Sequence, residues 1–265
     1  MGSSAPAPLA AGGCFLLAAL ALSRHWRIGG YLGAAGIAIL TGALAARGLQ
    51  AGHWPLLSSY EFALAFSLAA ALAALLVQRG PALCEADEGA TAIQAMALVV
   101  AALLVVYARL GIPGFERSIQ PLPPALNSVW LPLHVATAAL AYGALAVAGA
   151  AAMAWLIKEP YRAGAERMVD RTISAGYPLL TLSMLLGMIW ARVAWGRYWA
   201  WDMQEVWTLI VWLTYTLYWH LRRRPGWQGR RLAWLALGGL GAMLFTSFGI
   251  EGLARAVDLE SLHLF

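Results

Sequence analysis

The chain has 265 residues, of which 61 % are hydrophobic and only 12 % charged, about half the roughly 25 % that a soluble domain carries. So little polar surface cannot clothe a water-soluble globule of this size, and lipid is the natural solvent. A net charge of +5 would suggest nucleic acid in a soluble protein, but the arginines sit in short loops between apolar runs, where they read as topology signals.

A membrane-spanning helix takes roughly 20 apolar residues. Eight runs qualify in chain order: 8–23, 28–48, 60–77, 91–108, 130–157, 175–194, 203–220 and 232–254. The expected fold class is all-α, a polytopic membrane protein forming one domain over 1–265. The first run is short or tilted. It is not expected to be a secretory signal, because the first basic residue, Arg24, follows it instead of preceding it. The fifth run is long enough to tilt or protrude. Ala and Gly are dense between Ala138 and Ala154, which predicts close helix packing in lipid. Cys14 and Cys84 are far apart and follow no metal or disulfide spacing.

Basic residues set the orientation. The loops around Arg24–Arg27, Arg79, Lys158–Arg171 and Arg222–Arg231 carry twice as many Lys and Arg as the opposite set of Arg47, Arg109, Arg117, Arg192, Arg197 and Arg255. The positive-inside rule places the first set in the cytoplasm. Leu49–Ser59, Arg109–Val129, Trp195–Asp202 and the tail after Ala254 then face outward.

These outer segments hold the unusual residues. The strongest is Trp195-Gly196-Arg197-Tyr198-Trp199-Ala200-Trp201-Asp202-Met203-Gln204-Glu205-Val206-Trp207. An interfacial belt explains scattered tryptophans, but it has no need of an Asp and a Glu beside the rings. Seven of the 13 tryptophans lie between Trp190 and Trp219, which suggests a platform for a flat conjugated ligand. Of five histidines, His134 and His263 fall on the same side as this loop, and two neutral imidazoles suit the axial positions of haem iron. His220 ends the seventh run at the cytoplasmic side, where it is either an interfacial residue or a functional ionisable group in a span. His25 lies in a basic inner loop and reads as incidental. Arg192 and Arg197 flank the aromatic loop. They could hold the propionates of haem, or pair with Asp202 or Glu205. Gly52–Phe62 puts Glu61 at the mouth of the third run, with Ser59 as the expected N-cap. The prolines of Pro124–Val135 fix how the fifth run begins.

The Trp195–Trp207 segment resembles the tryptophan-rich WWD signature of haem-handling membrane proteins, the superfamily of CcsA, CcmC and CcmF. Gly52–Glu61, Pro124–Val135 and Thr208–Arg222, with its terminal Tyr218-Trp219-His220, match the CcsA branch in order. The resemblance runs over nearly the whole chain from about residue 50. It implies a cytochrome c haem lyase that binds haem b as ligand and substrate. The product is a thioether linkage to the C-x-x-C-H segment of apocytochrome c. It implies His134 and His263 as outer axial ligands and His220 as an intramembrane ligand. Trp195, Trp199, Trp201, Asp202 and Trp207 would frame the haem face, and a CcsB/ResB-like membrane subunit would be the partner. This chain departs from the family at Met203-Gln204, where Pro-Lys is usual, and in its tail, Ser261-Leu262-His263-Leu264-Phe265.

Three other readings stay open on the sequence. A CcmC- or HemX-like protein would handle haem without lyase activity. A b-type cytochrome subunit would place histidine pairs at mid-membrane depth. A transporter would show repeated halves, and none is evident.

Overall fold

The computed structural model describes residues 6–24, 28–77, 88–120, 122–157, 161–250 and 252–253. In chain order these form α1 (Ala7–Ser23), α2 (Ile28–Ala51), α3 (Ser59–Val77), α4 (Glu88–Leu110), the single turn α5 (Gly114–Arg117), α6 (Trp130–Ile157), α7 (Arg162–Trp195), α8 (Met203–Leu221) and α9 (Arg230–Leu244). A 3-10 turn at Pro124–Leu126 leads towards α6, and a π-helical stretch, Phe245–Gly249, continues α9. No strand occurs among the described residues. Each of the eight expected runs falls on a helix, and the chain is an all-α polytopic membrane protein. Six of these helices are long and apolar enough to cross a bilayer. The 17-residue α1 is apolar but shorter. The 19-residue α8 carries Gln204, Glu205, His220 and several aromatic rings, and these lower its hydropathy.

Two boundaries differ from expectation. The sixth run was expected at 175–194, but α7 occupies 34 residues from Arg162. The basic stretch before residue 175 is therefore largely helix instead of loop, as its Ala, Glu, Arg and Met residues favour. At 1.5 Å per residue α7 is about 51 Å long, against roughly 30 Å of hydrocarbon, so its basic end extends beyond the lipid core. The last run, expected at 232–254, begins as α9 two residues earlier at Arg230 and contains the π-helical turn, which widens it beside the site described below.

Small residues hold the bundle together. Almost every residue of α6 from Ala138 to Ala154 is buried, against α7 along one side and α3 along another. Gly143 shows why the composition is so poor in side-chain bulk. A Cβ there would stand 2.5 Å from the backbone carbonyl carbon of Ala69 on α3, so only glycine permits that approach. With lipid outside, apolar burial gives no preference for helix over lipid, and close packing and interhelical hydrogen bonds decide association. Between α7 and α8 the Trp212 indole N–H donates to Thr181 Oγ1 (3.0 Å), and the Tyr177 and Thr216 hydroxyls are 2.8 Å apart. Tyr218 donates to Asp170 Oδ1 (2.7 Å). Arg222 lies 3.6 Å from the same oxygen and over the Trp219 ring, which closes the end of α8 that carries the basic cluster.

The opposite end is fixed by Arg47 and Glu61. Arg47 Nε is 2.6 Å from Glu61 Oε1, and the same guanidinium donates to the carbonyls of Arg117 (2.9 Å) and Ser118 (3.3 Å). Arg117 in turn donates to the carbonyl of Arg109. This one side chain ties α2, α3 and the loop after α4 together. Glu61 is only 2 % exposed, so its charge is held by partners and not by water.

Candidate haem site

Among the described residues, parts of three of the segments expected on the outer side, Leu49–Ser59, Arg109–Val129 and Trp195–Asp202, meet at this end of the bundle around one cleft of about 240 Å³, and the tail after Ala254 lies outside the described residues. Its walls are Leu56–Ser59 before α3, Leu126 and the first turns of α6, the α7 stretch from Leu180 to Ala191, and Tyr198, Trp199 and Glu205 of the loop and α8. Ser247 and Ile250 close it from the widened end of α9. The lining is mostly apolar, with few polar groups.

His134 lies in this cleft, one turn inside α6. Its Nδ1 is 2.8 Å from the carbonyl oxygen of Ser183 on α7. A carbonyl can only accept, so Nδ1 carries a proton, and in the neutral ring Nε2 carries the lone pair. The Ser183 hydroxyl donates to the His134 carbonyl (3.2 Å) and lies 3.2 Å from Nδ1. The ring packs on Gly187, where a Cβ would be 2.9 Å from the imidazole, and stacks at 6.4 Å and 12° with Trp190. Trp190 is itself buried and donates its indole N–H to the Ala125 carbonyl (3.1 Å). Metal-ligating histidines commonly commit their other ring N–H to a backbone carbonyl or carboxylate in this way, which fixes the ring's orientation.

The tryptophan loop is built by two acids. Asp202 is the N-cap of α8 and accepts the Glu205 N–H (2.9 Å). Glu205 reaches back, and its Oε2 accepts the N–H groups of Ala200 (2.6 Å) and Trp201 (2.7 Å). This is a variant of the capping box in which the returning carboxylate takes the two amides before the cap. Belts need no acids, but a capped helix does, and the Asp202-x-x-Glu205 spacing was a readable signal of it. The same device recurs on the opposite wall. Ser58 Oγ accepts the Glu61 N–H (3.2 Å), and Glu61 Oε2 accepts from Leu57 (2.8 Å) and Ser58 (3.2 Å). The cap of α3 is thus Ser58, one residue before the expected Ser59, because the helix starts at Ser59 and the cap precedes it.

The tryptophans divide. Trp199 lines the cleft, and its Nε1 is buried without a hydrogen-bond partner. Trp195 packs edge-on against Trp190 at 4.6 Å, outside the lining. Trp207 packs against Phe245 at 4.4 Å. Trp201 is 71 % exposed with φ +61°, and its ring meets Trp199 edge to face at 5.8 Å. Arg192 donates to the Gly196 carbonyl (2.7 Å) and lies over the Tyr198 ring; Arg197 is exposed. Ser183, Gly187 and Tyr198 were not foreseen. The Ser183-x-x-x-Gly187 spacing of small residues on one helix face was the available hint.

His220 lies at the other end of α8. Fifteen residues separate it from Glu205, about 22 Å along the helix, so it stands far from the cleft that Glu205 lines. Its Nδ1 is 2.8 Å from the Thr216 carbonyl, which again assigns the lone pair to Nε2. His53 is in the loop before α3, with Nδ1 3.0 Å from the Trp54 carbonyl. His263 and His25 lie outside the described residues. Among the described residues no group of three or more His, Cys, Asp or Glu is arranged for a bare metal ion.

The family profile described as "Cytochrome C assembly protein" matches residues 56–256, a span that contains the cleft. Among curated proteins, the chain is similar to proteins named "Cytochrome c biogenesis protein CcsA". It is 31 % identical to one from a Synechococcus species over 249 residues, covering 80 % of this chain and 78 % of that protein. It is 31 % identical to one from Prochlorococcus marinus, covering 80 % and 77 %. It is 30 % identical to one from Synechococcus elongatus over 286 residues, covering 85 % and 86 %.

Proposed function

The chain belongs to the cytochrome c assembly protein family, and from that premise we propose that it presents haem b at the outer end of the helix bundle for covalent attachment to apocytochrome c. A part in cytochrome c biogenesis follows from the family. The lyase role rests on the cleft.

The observation that carries it is the bond from His134 to the Ser183 carbonyl. It commits Nδ1 to the backbone and leaves Nε2 as the ring nitrogen that would coordinate a metal, in a cleft walled by Trp190, Trp199 and Tyr198. The residues present fit a haem: a fixed imidazole for the metal, flat rings for the macrocycle, and a buried indole N–H on Trp199 with no acceptor of its own. The cleft of about 240 Å³ is smaller than the roughly 300–1,000 Å³ of pockets that enclose a drug-sized ligand. Such a cleft grips one part of the macrocycle and leaves an edge outside, where a protein substrate can reach it.

His134 and His263 would hold the haem iron at the outer site, and His220 would hold it at a separate intramembrane site. Asp202 holds the first turn of α8 under the loop. Trp199 offers its face, Trp195 backs Trp190, Trp201 stands at the rim, and Trp207 holds α8 against α9. Arg192 and Arg197 are within the exposed rim where propionates would lie. When bound, haem supplies two vinyl groups, each of which takes up a thiol S–H across its double bond with no oxidant. This chain's contribution is orientation, which is worth several kcal/mol, with roughly 7–11 as the ideal range. A CcsB/ResB-like membrane subunit completes the complex in a bacterial cytoplasmic membrane, with the outer cleft facing the periplasm.

The test is co-expression with such a subunit and a C-x-x-C-H reporter in a host without its own maturation system. Covalently haem-stained reporter is expected, abolished by His134→Ala and partly restored by added imidazole. Bound haem without covalent product would overturn the lyase assignment in favour of haem handling alone. A colourless complex would overturn both.

A further inference from the structure

Glu205 joins two parts of the loop that must stay in register. Its Oε2 accepts two successive backbone N–H groups, at Ala200 and Trp201, and its own N–H is held by Asp202. The loop is thereby locked onto the first turn of α8. The lock carries a conformational cost. Trp201 is the one described residue other than glycine with positive φ, at +61°, a left-handed conformation that bulky residues rarely adopt and that persists only where surrounding contacts impose it. The consequence is seen in the neighbouring rings. Trp199 and Trp201 are two positions apart, yet Trp199 lines the cleft while Trp201 is 71 % exposed.

We propose that Glu205 is a positioning residue for the haem shelf: by chelating the Ala200 and Trp201 amides it turns the Trp199 indole into the cleft. This deepens the reading of the cleft as the haem site and rests on it. The reach of the side chain matters, and its charge does not. Glutamine keeps an oxygen at the same distance that can accept both amides, whereas aspartate keeps the charge but is one methylene too short. Glu61 braces the facing wall through Leu57 and Ser58 in the same way, but it is also ion-paired with Arg47, so only Glu205 separates reach from charge cleanly.

The test uses the full chain in detergent or nanodiscs, with haemin added to the purified protein. Hydrogen exchange at the Ala200 and Trp201 amides reads the lock without haem, and the Soret band with a haemin titration reads the shelf. Glu205→Asp is expected to speed exchange at both amides and to weaken haemin binding. Glu205→Gln is expected to keep both near wild type. Glu205→Asp binding haemin like wild type despite faster exchange would overturn the proposal. So would Glu205→Gln losing haemin while its amides stay protected, because the charge would then be acting directly. If wild type itself binds no haemin, the cleft's assignment fails, which is a separate result from these two.

Discussion

The His134 imidazole rests on Gly187: a Cβ at that position would stand 2.9 Å from both Nδ1 and Cε1 of the ring. No side chain larger than hydrogen fits between α7 and the imidazole while Nδ1 stays 2.8 Å from the Ser183 carbonyl. Gly187→Ala should therefore act on the ring and not on the helix. Alanine favours helix over glycine by about 0.8–1 kcal/mol, so the melting temperature should hold or rise while haemin affinity falls. A variant that binds haemin as wild type does would show that the ring position is not needed.

Two tryptophans of the Trp195–Trp207 segment, Trp199 and Trp207, should separate by readout. Trp199 lines the cleft, whereas Trp207 packs on Phe245. Trp199→Ala should change the haem spectrum and affinity with little effect on unfolding. Trp207→Ala should lose a ring pair worth about 0.5–1.5 kcal/mol and appear first as lower thermal stability. The reverse pattern would place the shelf on the other side of α8.

The Arg47–Glu61 pair makes a prediction about coupling. Glu61 is buried and braces Leu57 and Ser58 as well as pairing with Arg47. Removing one partner of a buried pair costs roughly 3–5 kcal/mol, whereas replacing both by apolar residues costs much less. Glu61→Met should destabilise more than Arg47→Met and Glu61→Met together, measured by thermal unfolding of the purified protein. Additive losses would mean that the charges do not depend on one another.

His134 and His220 lie at opposite ends of the bundle, with about 22 Å of α8 between Glu205 and His220. They cannot share one iron. Each alanine variant should therefore lower the haem content of the purified complex by its own share, and the double variant should lose both shares. If either single variant removed all haem, a common site would be the better description.

How much of this was written in the chain depends on the range of the interaction. Hydrophobic runs of about bilayer-spanning length pointed to the all-α membrane fold and placed eight of its helices, because hydrocarbon admits few other backbone arrangements. That His134 and the tryptophan loop fall at the same end of the bundle was legible for the same reason: membrane topology sorts residues by depth, and depth can be counted. The basic segment ahead of α7 misled, since positive charge marks a compartment without saying whether the chain there is loop or helix. The Asp202-x-x-Glu205 box was local and could have been read. What no linear pattern held was the pairing across helices: Ser183 and Gly187 under His134, Trp190 reaching Ala125, and Arg47 gripping a loop 70 residues away. Those contacts depend on which helix faces lie together, and only the packed bundle decides that, because in lipid a face turned inward and a face turned outward can have the same composition.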